Sequence, residues 1–350
     1  MPFLIGTDEA GYGPNLGPLV ITATCWQLPD GLSADDLWTV LADAVTQKRV
    51  RGDKRLHIAD SKQVYSSGKS LEQLERGVLS CLGLLDGPEG RAVSQRQSRS
   101  ESHRESQRES HPDCVPDSVP NLGRLLSGDA FTADYCEATG RADEHATAAA
   151  DSLPVATTTD ELQDDVRQLR RVLDAAGVRF RGARSAVLFA PEFNRRVAEH
   201  DSKGVVLSGE TLRLIRESVD ELGEVSPVGQ VVCDKHGGRN RYDDLIADAF
   251  DGALVFRGLE SGPRSEYRLG NMEFCFRTKA EEILPVAVAS MISKYVREVV
   301  MRQFNAYWQS QVPGLKPTKG YPVDAARFWD DIADVCETMG VARSSLWRCR

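Results

Sequence analysis

The first 27 residues constrain the fold more than any other stretch. Two apolar runs, Phe3–Ile5 and Leu19–Trp26 (LVITATCW), flank Gly6–Pro18, a segment of acids, glycines and prolines with the sequence GTDEAGYGPNLGP. β-Branched and aromatic residues suit strands, whereas glycine and proline interrupt them. The spacing therefore predicts a strand, a glycine-bent turn and a hairpin partner. Apolar spacing predicts helices over Leu37–Gln47 and Leu71–Leu85. Thr158-x-x-Glu161 is a capping box, followed by Leu162, Val166, Leu169 and Leu173 at helical spacing. Further helices are expected around Gly209–Leu222, over Pro285–Trp308 with proline in the first turn, and from Ala325 to Met339. Ala186–Phe189 and Val228–Cys233 read as buried strands and Leu254–Arg257 as a short one. Strands that alternate with helices after an opening hairpin predict an α/β fold: a mixed sheet flanked by helices, with C-terminal helices.

The pattern breaks between Gly87 and about Asp151. Ser94–Asp113 (SQRQSRSESHRESQRESHPD) has no large apolar residue, so it cannot bury enough surface to offset its ordering entropy. One folded domain is expected from residues 1–86 and 158–350, interrupted by a largely disordered insertion, 87–157, clearest at 94–113. No apolar run approaches the 18 or more residues of a membrane span. Met1–Ile5 carries no basic leader, which predicts a cytoplasmic chain, read here as a monomer. The eight cysteines are scattered without a C-x-x-C pair, arguing against a zinc site or disulfide frame. Net charge is −9, which opposes binding nucleic acid by bulk electrostatics but leaves room for a site built from acids.

Acids fall at the ends of predicted elements in three places. Asp8 and Glu9 follow the first strand, Asp234 follows Val231-Val232-Cys233, and Glu281 and Glu282 precede the long helix. Neighbours on a strand point to opposite faces. Asp8 and Glu9 reach one site only where the chain leaves strand geometry between or just after them, and Gly11 and Gly13 make that departure cheap. Each acid alone fits a solvated turn or a helix N-terminus. Together they match the oxygen ligands that Mg²⁺ prefers, and two such ions can carry phosphodiester hydrolysis.

These residues resemble a known family. Gly6–Pro18 resembles the first motif of the type 2 ribonucleases H, G-x-D-E-[AV]-G-x-G-x-x-x-G-P. Asp60-Ser61-Lys62 is similar to the second motif. Phe276–Tyr295 (FRTKAEEILPVAVASMISKY) resembles the acid-then-helix segment, and Lys319-Gly320-Tyr321-Pro322 the K-G-Y that closes the core. The motifs occur in family order over about Met1–Leu85 and Ser185–Asp334. The resemblance implies an RNase H-like sheet, with Asp8, Glu9, Asp234 and Glu281 as catalytic ligands of two Mg²⁺ or Mn²⁺ ions; Glu282 is the alternative fourth acid. It implies that the backbone of Gly11, Tyr12 and Gly13 reads a ribose 2′-hydroxyl. Ser61 and Lys62 would meet phosphate, Lys294 would contact phosphate or brace the site, and Tyr321 would pack beside the cut. The implied substrate is an RNA–DNA hybrid or DNA containing ribonucleotides. Tyr12 stands where ribonuclease HII usually has Arg and HIII usually Thr, so the subtype stays open.

Smaller signals are read more plainly. Lys235, Arg239 and Arg241 follow Asp234 and could grip phosphate or form a solvated loop; His236 is a weaker candidate for proton transfer. His57 reads as a packing or solvent-exposed residue and not a ligand, and Trp308 and Trp329 as core aromatics. Asp324 reads as a helix N-cap. A P-loop is absent from the sequence, which disfavours an NTPase. Two rivals remain: a binding module of the same fold that has lost catalysis, and a two-metal DNA nuclease of the same superfamily.

Overall fold

The computed structural model describes residues 1–65, 70–86, 153–223 and 228–349. The low-complexity stretch 94–113 lies outside them. Seven strands form one mixed sheet in the order β5-β2-β1-β6-β9-β8-β7. The opening hairpin is β1 (Phe3–Ala10) and β2 (Leu19–Gln27), paired antiparallel from Phe3↔Gln27 to Ala10↔Val20. β5 (Arg179–Leu188) extends the sheet beyond β2. On the other side β1 runs parallel to β6 (Gly229–Asp234), and β6 parallel to β9 (Met272–Arg277). β7 (Val255–Glu260) and β8 (Arg264–Leu269) complete the sheet antiparallel. β1 and β6 are therefore internal strands, and they carry Asp8, Glu9 and Asp234.

One face of the sheet is covered by α3 (Glu72–Gly83), α4 (Thr159–Ala176) and the long α8 (Leu284–Gln311). Burial of Leu4, Val20, Trp26 and Val232 against Val286, Ile292 and Val296 makes that core. α5 (Ala190–His200), α6 (Lys203–Leu222) and α7 (Asp243–Ala249) cover the opposite face, around Ile5, Ile21, Val231 and Phe274. α9 (Pro322–Met339) and the short α10 (Arg343–Leu346) form a third cluster with the end of α8, centred on Phe304, Trp308 and Phe328. No helix among the described residues is long and apolar enough to cross a membrane.

Most long elements match expectation. The capping box forms: Thr158 Oγ1 accepts from Glu161 N at 3.3 Å, and Thr158 N donates to the Glu161 carboxylate at 3.2 Å. Trp308 is fully buried and Trp329 half-buried. Other readings need correction. The helix expected over 37–47 ends early: α1 is only Leu37–Val40, because β3 (Val45–Thr46) leaves to pair with β4 (Leu56–His57). Leu37, Leu41, Ala44 and Val45 are buried all the same, since a turn can bury that spacing as a helix does. The helix placed around 209–222 begins at Lys203, capped by the Ser202 hydroxyl. α5 was not foreseen because it buries little beyond Ala190 and Phe193. Of the described cysteines, five are buried and Cys349 is exposed.

Candidate active site

β1 does not stop before the acids. It stays regular through Ala10, and the bend comes after the pair, at Gly11 with φ +89°. Parallel pairing puts Thr7 opposite Cys233, so Asp8 and Asp234 follow as the next neighbours on adjacent strands. Such strands are about 4.8 Å apart. Asp234, the last residue of β6, accepts from the amide of Ala280 at 3.5 Å. Ala280 opens a 3-10 turn, Ala280–Glu282, that leads into α8. Three segments distant in sequence thus bring acids to one end of the sheet.

Burial and neighbouring acids shift three of these carboxyls. Asp8 is held well above the usual carboxylate range by burial and by Glu9, with Asp234 adding to the effect. Glu9 is pushed up to about 7 by burial and by Asp234, while Lys62 opposes. Asp234 is raised by burial and by Glu281. Of the two acids in that turn, Glu281 is the one that acts on Asp234. Glu282 instead pairs with Arg277 at 2.7 Å, its side chain 60% exposed. Buried like charges raise one another's pKa because neither burial nor repulsion favours the ionised form. As placed, no three His, Cys, Asp or Glu side chains among the described residues form a group that could hold a metal ion. The four carboxylates share a field but not a coordination sphere.

α8 organises this site through hydroxyls. Its first turn lies against β1, where Gly6 leaves the space: a Cβ there would stand 2.4 Å from the Pro285 backbone. Ser290 favours the ionised form of the Asp8 carboxyl, against the effect of burial, and its Oγ donates to Ser61 Oγ at 3.1 Å, linking the second motif to the long helix. Ser293 Oγ donates to the Asp8 carbonyl at 3.1 Å and to Thr22 Oγ1 at 2.8 Å. Thr22 in turn meets Ser185 at 2.8 Å. Sequence reasoning gave no role to Ser293, Thr22 or Ser185; the signal was a run of hydroxyls at positions otherwise apolar. Asp60 caps the short α2 (Ser61–Val64), accepting from Lys62 N at 3.0 Å, and leaves the Lys62 side chain exposed near Glu9 and Asp234.

The other expected contacts fall into two groups. Gly11, Tyr12, Gly13 and Tyr321 stand on the same side as the acids' strand ends. The K-G-Y segment is tied to the glycine loop by Asn15 N to Gly320 O at 2.7 Å. Tyr321 is 54% exposed. Lys294, by contrast, is engaged by Glu298 at 2.6 Å and lies over the Tyr65 ring. Lys235 is buried and donates to Asn240 Oδ1 and Ser261 O, so it staples its own loop. His236 is buried too, its ring between Ser208 Oγ at 2.9 Å and Thr211 Oγ1 at 3.4 Å, and burial pushes its pKa down to about 3. That placement removes it as a proton-transfer candidate. His57 is buried beside the Gln47 carbonyl, as a packing residue. Asp324 is not the N-cap of α9, which is Tyr321; its carboxylate reaches back to Lys319 N at 2.9 Å and Thr318 Oγ1 at 2.7 Å.

Solved structures similar to this chain include Bst RNase HIII in complex with Mn²⁺, with TM-score 0.44 and 15% identity, covering 99% of this chain and 66% of that one. The RNase HII of Archaeoglobus fulgidus, in a complex with PCNA, gives 0.38 and 14% over 99% of this chain and 94% of its own. Ribonuclease H2 from Pyrococcus horikoshii gives 0.37 and 12%, covering 98% and 92%. All three are ribonucleases H. The chain spans 66% of the length of the RNase HIII it resembles. No family model matches the chain, and no curated protein matches it.

Proposed function

We propose that this chain is a metal-dependent endonuclease of the type 2 ribonuclease H kind, hydrolysing RNA annealed to DNA or ribonucleotides within DNA. One observation carries the reading: three segments bring Asp8, Glu9, Asp234 and Glu281 to one end of the sheet, where burial and the neighbouring acids hold Asp8, Glu9 and Asp234 above the usual carboxylate range. An all-oxygen donor set fits Mg²⁺ or Mn²⁺. The carboxylates' mutual repulsion is also relieved by a shared cation. Two such ions bound here would supply an activated water and stabilise the leaving oxygen of a phosphodiester.

The chain's own groups do the rest. Asp8, Glu9, Asp234 and Glu281 would hold the ions between them. Lys62 stands exposed beside Glu9 and Asp234, suited to meet the phosphate next to the cut. The amides of the Gly11–Gly13 loop face a ribose, and Tyr321 packs beside the strand. Water's oxygen joins phosphorus as the bond to the 3′ oxygen breaks, and that oxygen takes a proton. The products are a 5′-phosphate and a 3′-hydroxyl.

That the four carboxylates do not close into a three-ligand group as placed favours one alternative, a nucleic-acid-binding module of this fold without catalysis. One assay separates the readings. Labelled hybrid, DNA duplex with one ribonucleotide, and plain DNA duplex are incubated with the protein in Mg²⁺ and in Mn²⁺. We expect cleavage of the ribonucleotide-containing substrates alone. Binding without cleavage supports the alternative; cleavage of plain DNA supports a DNA nuclease.

A further inference from the structure

Arg348 is an unusual residue to bury. It is 1% exposed, has no carboxylate partner, and its Nε and Nη1 meet no acceptor among the described residues. Burial and the nearby Arg297 push its pKa down to about 9. A buried charge without an opposite charge is costly, and an apolar side chain of similar volume would spare that cost. Such a group needs an occupation.

Its remaining nitrogen, Nη2, donates to the carbonyls of Gly11 and Pro14. The Arg348 main chain donates to Asn15 O at 2.8 Å, and Asn15 Nδ2 returns a bond to Arg348 O at 3.1 Å. A second buried arginine, Arg297, reaches Leu16 O at 3.5 Å and Lys319 O at 2.9 Å. The loop's carbonyls at 11, 14, 15 and 16 are thus drawn inward to two guanidiniums and one amide. A trans peptide points its N–H opposite its C=O. Holding the Gly11 carbonyl inward therefore aims the Tyr12 amide outward. The amides of Asn15 and Leu16 are taken by Gly320 O, while those of Tyr12 and Gly13 have no partner among the described residues. The segment bearing Arg348 is itself fixed: Leu16 bridges to Trp347, Cys349 N donates to Asn194 Oδ1 at 2.7 Å, and the guanidinium lies over the Phe193 ring at 4.9 Å.

We propose that Arg348 is a positioning residue for ribose recognition: by holding the Gly11 and Pro14 carbonyls inward, it presents the Tyr12 amide to the 2′-hydroxyl of the strand being read. This rests on the ribonuclease reading above and adds a residue beyond the glycine loop and the acids. Losing a hydrogen bond to a charged group costs about 1.5–3 kcal/mol, roughly tenfold to a hundredfold in an equilibrium.

The test measures affinity for hybrid and for DNA duplex in Ca²⁺, and kcat/KM on the single-ribonucleotide duplex in Mg²⁺, for wild type, Arg348→Met and Arg348→Lys. Arg348→Met should lose roughly tenfold or more of the hybrid-over-DNA preference, with Mn²⁺ affinity unchanged. Arg348→Lys, which keeps the charge but spans two carbonyls poorly, should recover part of that loss. In wild type, the Tyr12 amide should exchange hydrogen freely in the free protein and become protected by hybrid more than by DNA. Folded variants that retain the wild-type preference overturn the proposal. So does a Tyr12 amide already protected in the free protein, which decides the matter should neither variant fold. A wild-type protein that neither binds nor cleaves hybrid sinks the proposed function instead.

Discussion

Glu9 shows what the acid cluster costs. Its carboxyl moves from 4.5 to about 7, first through burial and then through Asp234. Between those values the folded chain holds a proton that the unfolded chain has released. Stability from this group therefore falls as pH rises through that window. Glu9→Gln should raise the urea midpoint above wild type at pH 8, with the gap closing near pH 5, and should abolish cleavage. A Glu9→Gln protein no more stable at pH 8 would contradict the assigned repulsion. Because ligands must be ionised, affinity for Mn²⁺ should also weaken as pH falls through about 7. His236 has the opposite sign. Its folded pKa is pushed down from 6.5 to about 3, so its contribution is complete above about 6.5 and is lost as pH falls through that interval. His236→Asn should flatten the acid limb of the stability curve and keep metal-dependent cleavage. Loss of cleavage in a folded variant would return His236 to the mechanism.

At the scale of elements, glycines separate packing from recognition. A methyl at Gly6 would meet Pro285 backbone at 2.4 Å, and one at Gly320, where φ is +81°, would meet Leu16 O at 2.1 Å. Gly6→Ala and Gly320→Ala should each lose about 1–3 kcal/mol or more in denaturant titrations, by overpacking against backbone. Gly13 has nothing within 4 Å of that position. Gly13→Ala should melt like wild type yet bind hybrid more weakly, because a methyl there intrudes only on a ligand. Equal affinity would show that the substrate does not approach that atom. Buried Glu75 accepts from the amides of Val155, Ala156 and Thr157 and from the Tyr295 hydroxyl, tying the start of α4 to α3 and α8. The sequence made the long elements legible because their apolar periodicity and capping residues act locally. α5 and β8 were not, since the first has a thin apolar stripe and the second, RSEYRL, is largely polar. Glu75 was hidden inside a helical pattern that any half-exposed acid would fit.

Across the whole molecule, the candidate site is set by strand order. β1 and β6 sit side by side in the middle of the sheet, and their ends deliver Asp8, Glu9 and Asp234 together. The motifs singled out those acids and Glu281 as candidates, and the bend falls at Gly11, one of the two glycines expected to allow it. They could not separate Glu281 from Glu282; in the structure Glu282 pairs with Arg277. Nor could local sequence reveal that Lys235 and His236 turn into the core, because that depends on what α6 and the loop before α7 place against them. The support beneath the glycine loop was hidden for the same reason, since Arg348 lies 337 residues from Gly11. The central claim is that distant carboxylates act on shared divalent cations. Its most direct test is an Mn²⁺ titration, followed by electron paramagnetic resonance, of wild type and of Asp8→Asn, Asp234→Asn, Glu281→Gln and Glu282→Gln. The account predicts saturable binding that the first three substitutions weaken and Glu282→Gln leaves unchanged. Absence of binding by wild type, or equal affinity in all five proteins, would contradict it.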